Sequence, residues 1–318
     1  MTEQNTPPHR PNPSVADTAA ERMARQRALG LANVPDERFD EFARQIVQST
    51  GALAAMVNLV GERRQYFAGL AVNEDLGPAD PVFHGDPGRE MDTEHGFCPH
   101  VVTRRKALVL DDIYAYPRFA GNPVVDELGV RSYLGAPLID DDGMVLGTVC
   151  AVDPSPHGGA ENAGWGQRGL EVIKRVATEV VAEIRARRQV EALVSNAPGS
   201  VMVVTDPGLE VLHANVAHEQ LFGASGPLGE PAAVVFPDLG LVGILAALEQ
   251  VRRTGEPAAT APVQLAQDGR TVLFTVVPTS VQGHAKALLT LGMYDTDAGH
   301  CTAVAQELAD GLAKLRGD

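Results

Sequence analysis

Cys98 lies between His95 and His100 in the run Phe97-Cys98-Pro99-His100-Val101-Val102, and no other side chain in the sequence offers a wider range of chemistry. The run has the pattern of a short helix opening at the cysteine, where free backbone N–H groups and the helix dipole lower a thiol's pKa. A thiolate there could touch a ligand, carry a covalent chromophore or react with an oxidant. It could equally be a small buried residue filling core space, as free cysteines often are. Cys150 falls within an apolar strand, where packing explains it, and Cys301 reads as inert near the C-terminus. The three cysteines show neither a disulfide framework nor zinc-knuckle spacing. His84, His95, Cys98 and His100 match no paired ligand pattern, so no metal is expected. Arg118 and Arg131 could meet an anionic ligand, or could simply pair with Asp111 or Asp112.

Regular elements must hold these groups in place. Phe39, Phe42, Ile46 and Val47 recur at helical spacing, and Gly51 ends that helix. Ala54 to Val60 and Gln65 to Leu70 follow as strands across the turn at Gly61-Glu62. Residues 73 to 95 read as irregular. A helix over Phe97 to Thr103 leads to a strand over Ala107 to Leu110, and then to loop and short helix up to Glu127. Two apolar runs, Ser132 to Leu138 and Val145 to Asp153, flank Asp140-Asp141-Asp142-Gly143, a strong hairpin signal.

Gly166 to Val194 reads as one long helix. Leu170, Ile173, Ala177, Val180 and Ile184 form a seam along it, which packs on the helix's own sheet or pairs with a second copy of the chain. After Asn196-Ala197-Pro198-Gly199 a second pattern begins. Strands over Val201 to Thr205 and Leu209 to His213 precede a helix capped by Asn215 and another over Leu241 to Arg253. Strands over Val263 to Leu265, Val272 to Val277 and Ala287 to Met293 complete it, the first two joined across Asp268-Gly269. The fold class is α+β: two domains, each an antiparallel sheet flanked by helices, joined by the long helix.

Composition narrows the function. The 318 residues are 44% hydrophobic and 21% charged, which suits a globular protein of about two domains. A net charge of −15 argues against nucleic-acid binding, which needs clustered cations. No apolar run approaches the ~20 residues of a membrane span, and residues 1–14 lack a secretory pattern, so a cytoplasmic protein with no membrane partner is expected.

The segment from Phe97-Cys98-Pro99-His100 through Asp111-Asp112, Tyr116-Pro117-Arg118-Phe119 and Asn122-Pro123 to Gly135-Ala136-Pro137-Leu138 and Leu146-Gly147-Thr148-Val149-Cys150 resembles the GAF domain over about residues 34–190. Thr205-Asp206-Pro207-Gly208, Asn215, Leu221-Phe222-Gly223, Gln267-Asp268-Gly269-Arg270 and Tyr294-Asp295-Thr296-Asp297 are similar to a PAS domain over about 195–297. Together they imply an arm over 1–33, a GAF domain over 34–165, a connecting helix over 166–194, a PAS-like domain over 195–297 and a helical tail over 298–318. The arm is expected to be disordered, with a frayed helix between Asp17 and Leu29.

The GAF resemblance implies a ligand cavity built from Phe97, Cys98, His100, Tyr116, Phe119, Arg131 and Tyr133. It implies a bacterial sensor or adaptor that takes a small-molecule or redox input and relays it through the helix. The partners would be a small-molecule ligand, a second copy joined through helix 166–194, and a downstream signalling protein. No sequence feature assigns a cofactor. No catalytic output pattern follows residue 297, so no enzymatic activity is expected. Two alternatives stay open: a thiol enzyme such as a free methionine sulfoxide reductase using Cys98, and an interaction module that binds nothing.

Overall fold

In the computed structural model, residues 18–73, 88–157, 165–223, 226–240, 242–264, 270–281 and 284–315 are described. The chain divides into two units, Met1–Ala182 and Glu183–Asp318. The first opens with helix α1 (Ala19–Ala28), where the Thr18 and Glu21 side chains each cap the other's backbone. The helix expected between Asp17 and Leu29 lies here, and it is anchored rather than frayed. Arg22 Nε donates to the Val60 carbonyl at 2.7 Å, and Gln26 Nε2 donates to the Leu146 carbonyl at 2.5 Å. Both side chains are buried. Polar anchoring holds this helix.

Helix α2 (Glu37–Thr50) is capped by Asp36 and closed by Gly51 in the left-handed region, and its face of Phe39, Phe42, Ile46 and Val47 is buried. It packs on strands β1 (Ala54–Val60) and β2 (Arg64–Val72). Close approach depends on Gly69, because a methyl there would overlap the Phe39 carbonyl. A short edge strand β3 (Glu90–Asp92) lies within the stretch expected to be irregular. After it come α3 (Cys98–Arg104), β4 (Leu108–Leu110), α4 (Pro117–Ala120), α5 (Pro123–Leu128), β5 (Ser132–Ile139) and β6 (Val145–Asp153). The sheet order is β3-β2-β1-β6-β5-β4, and every neighbouring pair is antiparallel. In this register Cys150 lies opposite Met56 on one side and Gly135 on the other.

Helix α6 (Gly166–Ser195) begins in the first unit and ends in the second. Its seam residues Ile173, Ala177, Val180 and Ile184 are already buried within one chain, and Leu170 is half-buried. Of the two readings of that seam, this burial fits the one in which it packs inward.

The second unit contains β7 (Ser200–Thr205), β8 (Val211–Ala214), α7 (Val216–Phe222), α8 (Ala232–Val235), α9 (Ile244–Thr254), β9 (Ala258–Ala259), β10 (Val263–Gln264), β11 (Thr271–Val281), β12 (His284–Tyr294) and α10 (Ala298–Lys314). Leu241 and Asp268-Gly269 lie outside the described residues. The sheet runs β10-β11-β12-β7-β8, with β9 also pairing β11, and all pairs are antiparallel. One face packs on Ile244, Leu248 and Val251 of α9. The other is covered by Cys301, Ala305, Ala309 and Leu312 of α10 together with Val190 and Val194. The tail is therefore part of this unit's core, and Cys301 is fully buried in it. Among the described residues no helix is long and apolar enough to cross a membrane.

Candidate functional site

Strand alternation sends Met56 and Asn58 of β1, and Thr148, Cys150 and Val152 of β6, toward the same side of the first sheet. Tyr133 of β5 joins them there, and Phe97 and Cys98 close over them from the start of α3. A cavity of about 80 Å³ remains between sheet and helices. Met56, Phe67, Phe97, Cys98, Tyr133 and Cys150 form its walls, while half-buried Leu70, Met91, Gly96 and Leu128 stand at its outer edge. No described lining residue is charged. Gln65 is the polar exception. Its amide donates to the Asp92 and His95 carbonyls at 2.8 Å each and accepts from Asn58 at 2.9 Å.

The Cys98 and Cys150 sulfurs are 3.5 Å apart, and the Tyr133 hydroxyl donates to Cys98 Sγ at 3.4 Å. Both cysteines and the tyrosine are buried. The Cys98 thiol is lowered to about 6, chiefly by the hydrogen bond from Cys150, with Thr148, Tyr133 and Asn58 adding to it against the cost of burial. Cys150 moves the opposite way, well above the ordinary thiol value, because it holds the proton it shares with Cys98. Burial likewise raises the Tyr133 phenol and keeps it a neutral donor. The two sulfurs in contact thus differ in acidity, Cys98 being the one that gives up its proton more readily. An ionised thiol is the nucleophilic form.

Asn122 fixes the loop that delivers Cys98. Its Oδ1 accepts from Gly96 N at 2.9 Å and its Nδ2 donates to the Gly96 carbonyl at 3.0 Å, while the residue also caps α5. Phe97 packs edge-on against Phe119 at 5.7 Å and against Tyr133 at 5.2 Å.

Of the residues expected at the site, Phe97, Cys98 and Tyr133 line the cavity. Phe119 is buried behind Phe97, one layer away. His100 is exposed and stacks edge-on against Phe119, and Tyr116 is exposed as well. Arg131 makes a two-pronged ion pair with Asp112 at 2.7 and 3.0 Å and lies over the Tyr114 ring, outside the cavity lining. Arg118 lies over the Phe119 ring. His84 lies outside the described residues. Among the described residues no group of three or more His, Cys, Asp or Glu could hold a metal ion. Sequence reasoning assigned Cys150 to packing and passed over Met56, Gln65 and Met91. The alternation that places Cys150 and Met56 was visible in the sequence, but the pairing of β1 with β6 was not.

The GAF domain model matches residues 34–184. The chain is 26% identical over 169 residues to a cyclic di-GMP phosphodiesterase of Pseudomonas aeruginosa, a match covering 52% of this chain and 26% of that protein. It therefore spans about a quarter of the length of this curated relative. Among solved structures, the PixJ GAF domain of Thermosynechococcus elongatus is 15% identical, with 54% of this chain and 93% of that one covered and a TM-score of 0.37. The free methionine-R-sulfoxide reductase of Neisseria meningitidis is 16% identical, with coverages of 55% and 95% and a TM-score of 0.36. The expectation of no enzymatic activity does not stand, because the sequence relative is itself an enzyme. Residues 34–184 are a GAF domain, which indicates a sensory or regulatory role.

Proposed function

We propose that the GAF domain senses a small, largely apolar molecule that enters the cavity beside Cys98. The observation that carries this reading is the cavity itself, walled by apolar side chains with the acidified Cys98 thiol in its lining. A cavity of about 80 Å³ exceeds the space that one water needs. Arg131, His100 and Tyr116 take no part in the lining, so recognition rests on shape, on Cys98 and on the Tyr133 hydroxyl.

Occupancy of the cavity would shift α3 against the sheet, and α6 is the continuous segment leading from this unit to the next. The second unit has the order of two strands, helices and four strands, the first of them only two residues long, which supports a PAS-like reading. In this account it passes the signal to a downstream protein. A homodimer would have to form through a surface other than the α6 seam. Native mass spectrometry of the wild type and of Leu70→Trp, purified under reducing conditions, tests the reading. A small molecule held by the wild type and lost from the variant supports it, and identical bare masses count against it.

The contact between Cys98 and Cys150 favours a second reading, a thiol enzyme of the free methionine sulfoxide reductase kind. The described lining offers no charged partner for an amino-acid ammonium or carboxylate, which sets this reading second. Turnover of free methionine sulfoxide with dithiothreitol, abolished in Cys98→Ala, would reverse the order.

A further inference from the structure

We infer that Cys98 and Cys150 form a peroxide-reactive dithiol in the cavity wall, with Cys98 as the attacking sulfur and Cys150 as the resolving one. The inference rests on the reading of the cavity as a site that small molecules enter. The two sulfurs are in contact at 3.5 Å, although 52 positions separate them in sequence. A disulfide needs about 2.05 Å, so closure asks for an approach of roughly 1.5 Å. Cys150 is fixed in the middle of β6. Cys98 begins a short helix and follows Gly96, whose φ of 79° places the loop's turn two residues before it. The approach would therefore fall to the Cys98 side chain and the first turn of α3, beyond the Gly96 position that Asn122 holds.

A second observation points to the same chemistry. Thr148 Oγ1 and Asn58 Oδ1 are buried and make no hydrogen bond within the normal distance limits. They face each other across the β1–β6 pairing, on the side that carries Cys150. Buried polar atoms left without partners are costly. A single oxygen on Cys98 sulfur would satisfy both, accepting from the Thr148 hydroxyl and donating its own proton to Asn58 Oδ1. The half-buried rim of Leu70, Met91, Gly96 and Leu128 gives a molecule as small as a peroxide a way in.

The steps balance. The Cys98 thiolate attacks one peroxide oxygen, the O–O bond breaks, and the leaving oxygen takes a proton and departs as water or an alcohol. Cys98 is then a sulfenic acid, oxidised by two electrons. The Cys150 sulfur attacks the Cys98 sulfur, a disulfide forms, and the hydroxyl leaves with the Cys150 proton as water. The bond would draw α3 against β6 and narrow the cavity, coupling ligand capacity to oxidant.

The probe is hydrogen peroxide applied to the full-length, ligand-free protein, read by intact mass and by peptide mapping without reduction. The expected result is the loss of two hydrogens, a crosslink between the Cys98 and Cys150 peptides, and restoration by dithiothreitol. In Cys150→Ala the expected product is one added oxygen, trapped by dimedone at Cys98. Wild type that gains oxygen on Cys98 without a crosslink overturns the inference. So does wild type that keeps both thiols at peroxide levels that oxidise free glutathione. If Cys150→Ala does not fold, the wild-type crosslink alone decides. Because no ligand is present, this result and the ligand-binding result fail independently.

Discussion

The Tyr133 ring lies back across Gly135, two residues further along the same face of β5, and this brings its hydroxyl to the Cys98 sulfur. A methyl at position 135 would overlap that hydroxyl. The glycine is needed for a neighbour's position rather than for a turn.

Gly135→Ala should therefore move the Tyr133 hydroxyl off Cys98 and weaken the support of the ionised sulfur. The iodoacetamide rate at Cys98 in wild type should fall as pH drops through about 6. In the variant that midpoint should lie higher, with a loss of about 1–3 kcal/mol in stability from overpacking. An unchanged midpoint would show that Tyr133 does not tune this thiol.

Cys150→Ala removes the largest support of the Cys98 thiolate, so its midpoint should rise further than in Gly135→Ala. The sign for stability follows from the same shift. A folded-state pKa below the unfolded value of about 8.5 stabilises the fold above that pH, and the contribution is lost as pH falls toward 6. Melting curves of the wild type should therefore show more loss than those of Cys150→Ala between those two values. Parallel curves would place the ionised sulfur elsewhere.

His218 in the second unit gives an independent pH dependence. It is fully buried, shares a hydrogen bond with the Ser200 hydroxyl at 2.8 Å and packs on Phe222 and Phe236, and burial pushes its pKa down to about 3. An unfolded chain protonates it near 6.5, so stability present above that pH is lost as pH falls toward 3. The slope should approach about 1.4 kcal/mol per pH unit. His218→Leu should flatten that part of the profile in urea titrations. A slope equal to that of the wild type would mean another group titrates.

The elements were legible because their faces are written locally. Phe39, Phe42, Ile46 and Val47 announce one helix, and Asp142-Gly143 announces the hairpin where Gly143 adopts a φ of 83°. Helix α1 was less legible because Arg22 and Gln26 hold it through carbonyls, and apolar periodicity cannot reveal that. Cys98 stood out from its neighbours in sequence. Its partner did not, because Cys150 reaches it only through the pairing of β1 with β6 and the closure of α3 above them. Arg131 looked equally suited to an anion, yet Asp112 takes both arms of its guanidinium. The seam on α6 had two readings at the same spacing, and burial of Ile173, Val180 and Ile184 within one chain favours the inward one.

Xenon probes most directly whether the apolar space beside Cys98 admits a small molecule. The ¹²⁹Xe chemical shift should saturate with wild-type protein. It should lose that saturable part in Leu70→Trp, whose indole would occupy the space while circular dichroism stays that of the wild type. A shift that never saturates, or one that survives in Leu70→Trp, would contradict the account.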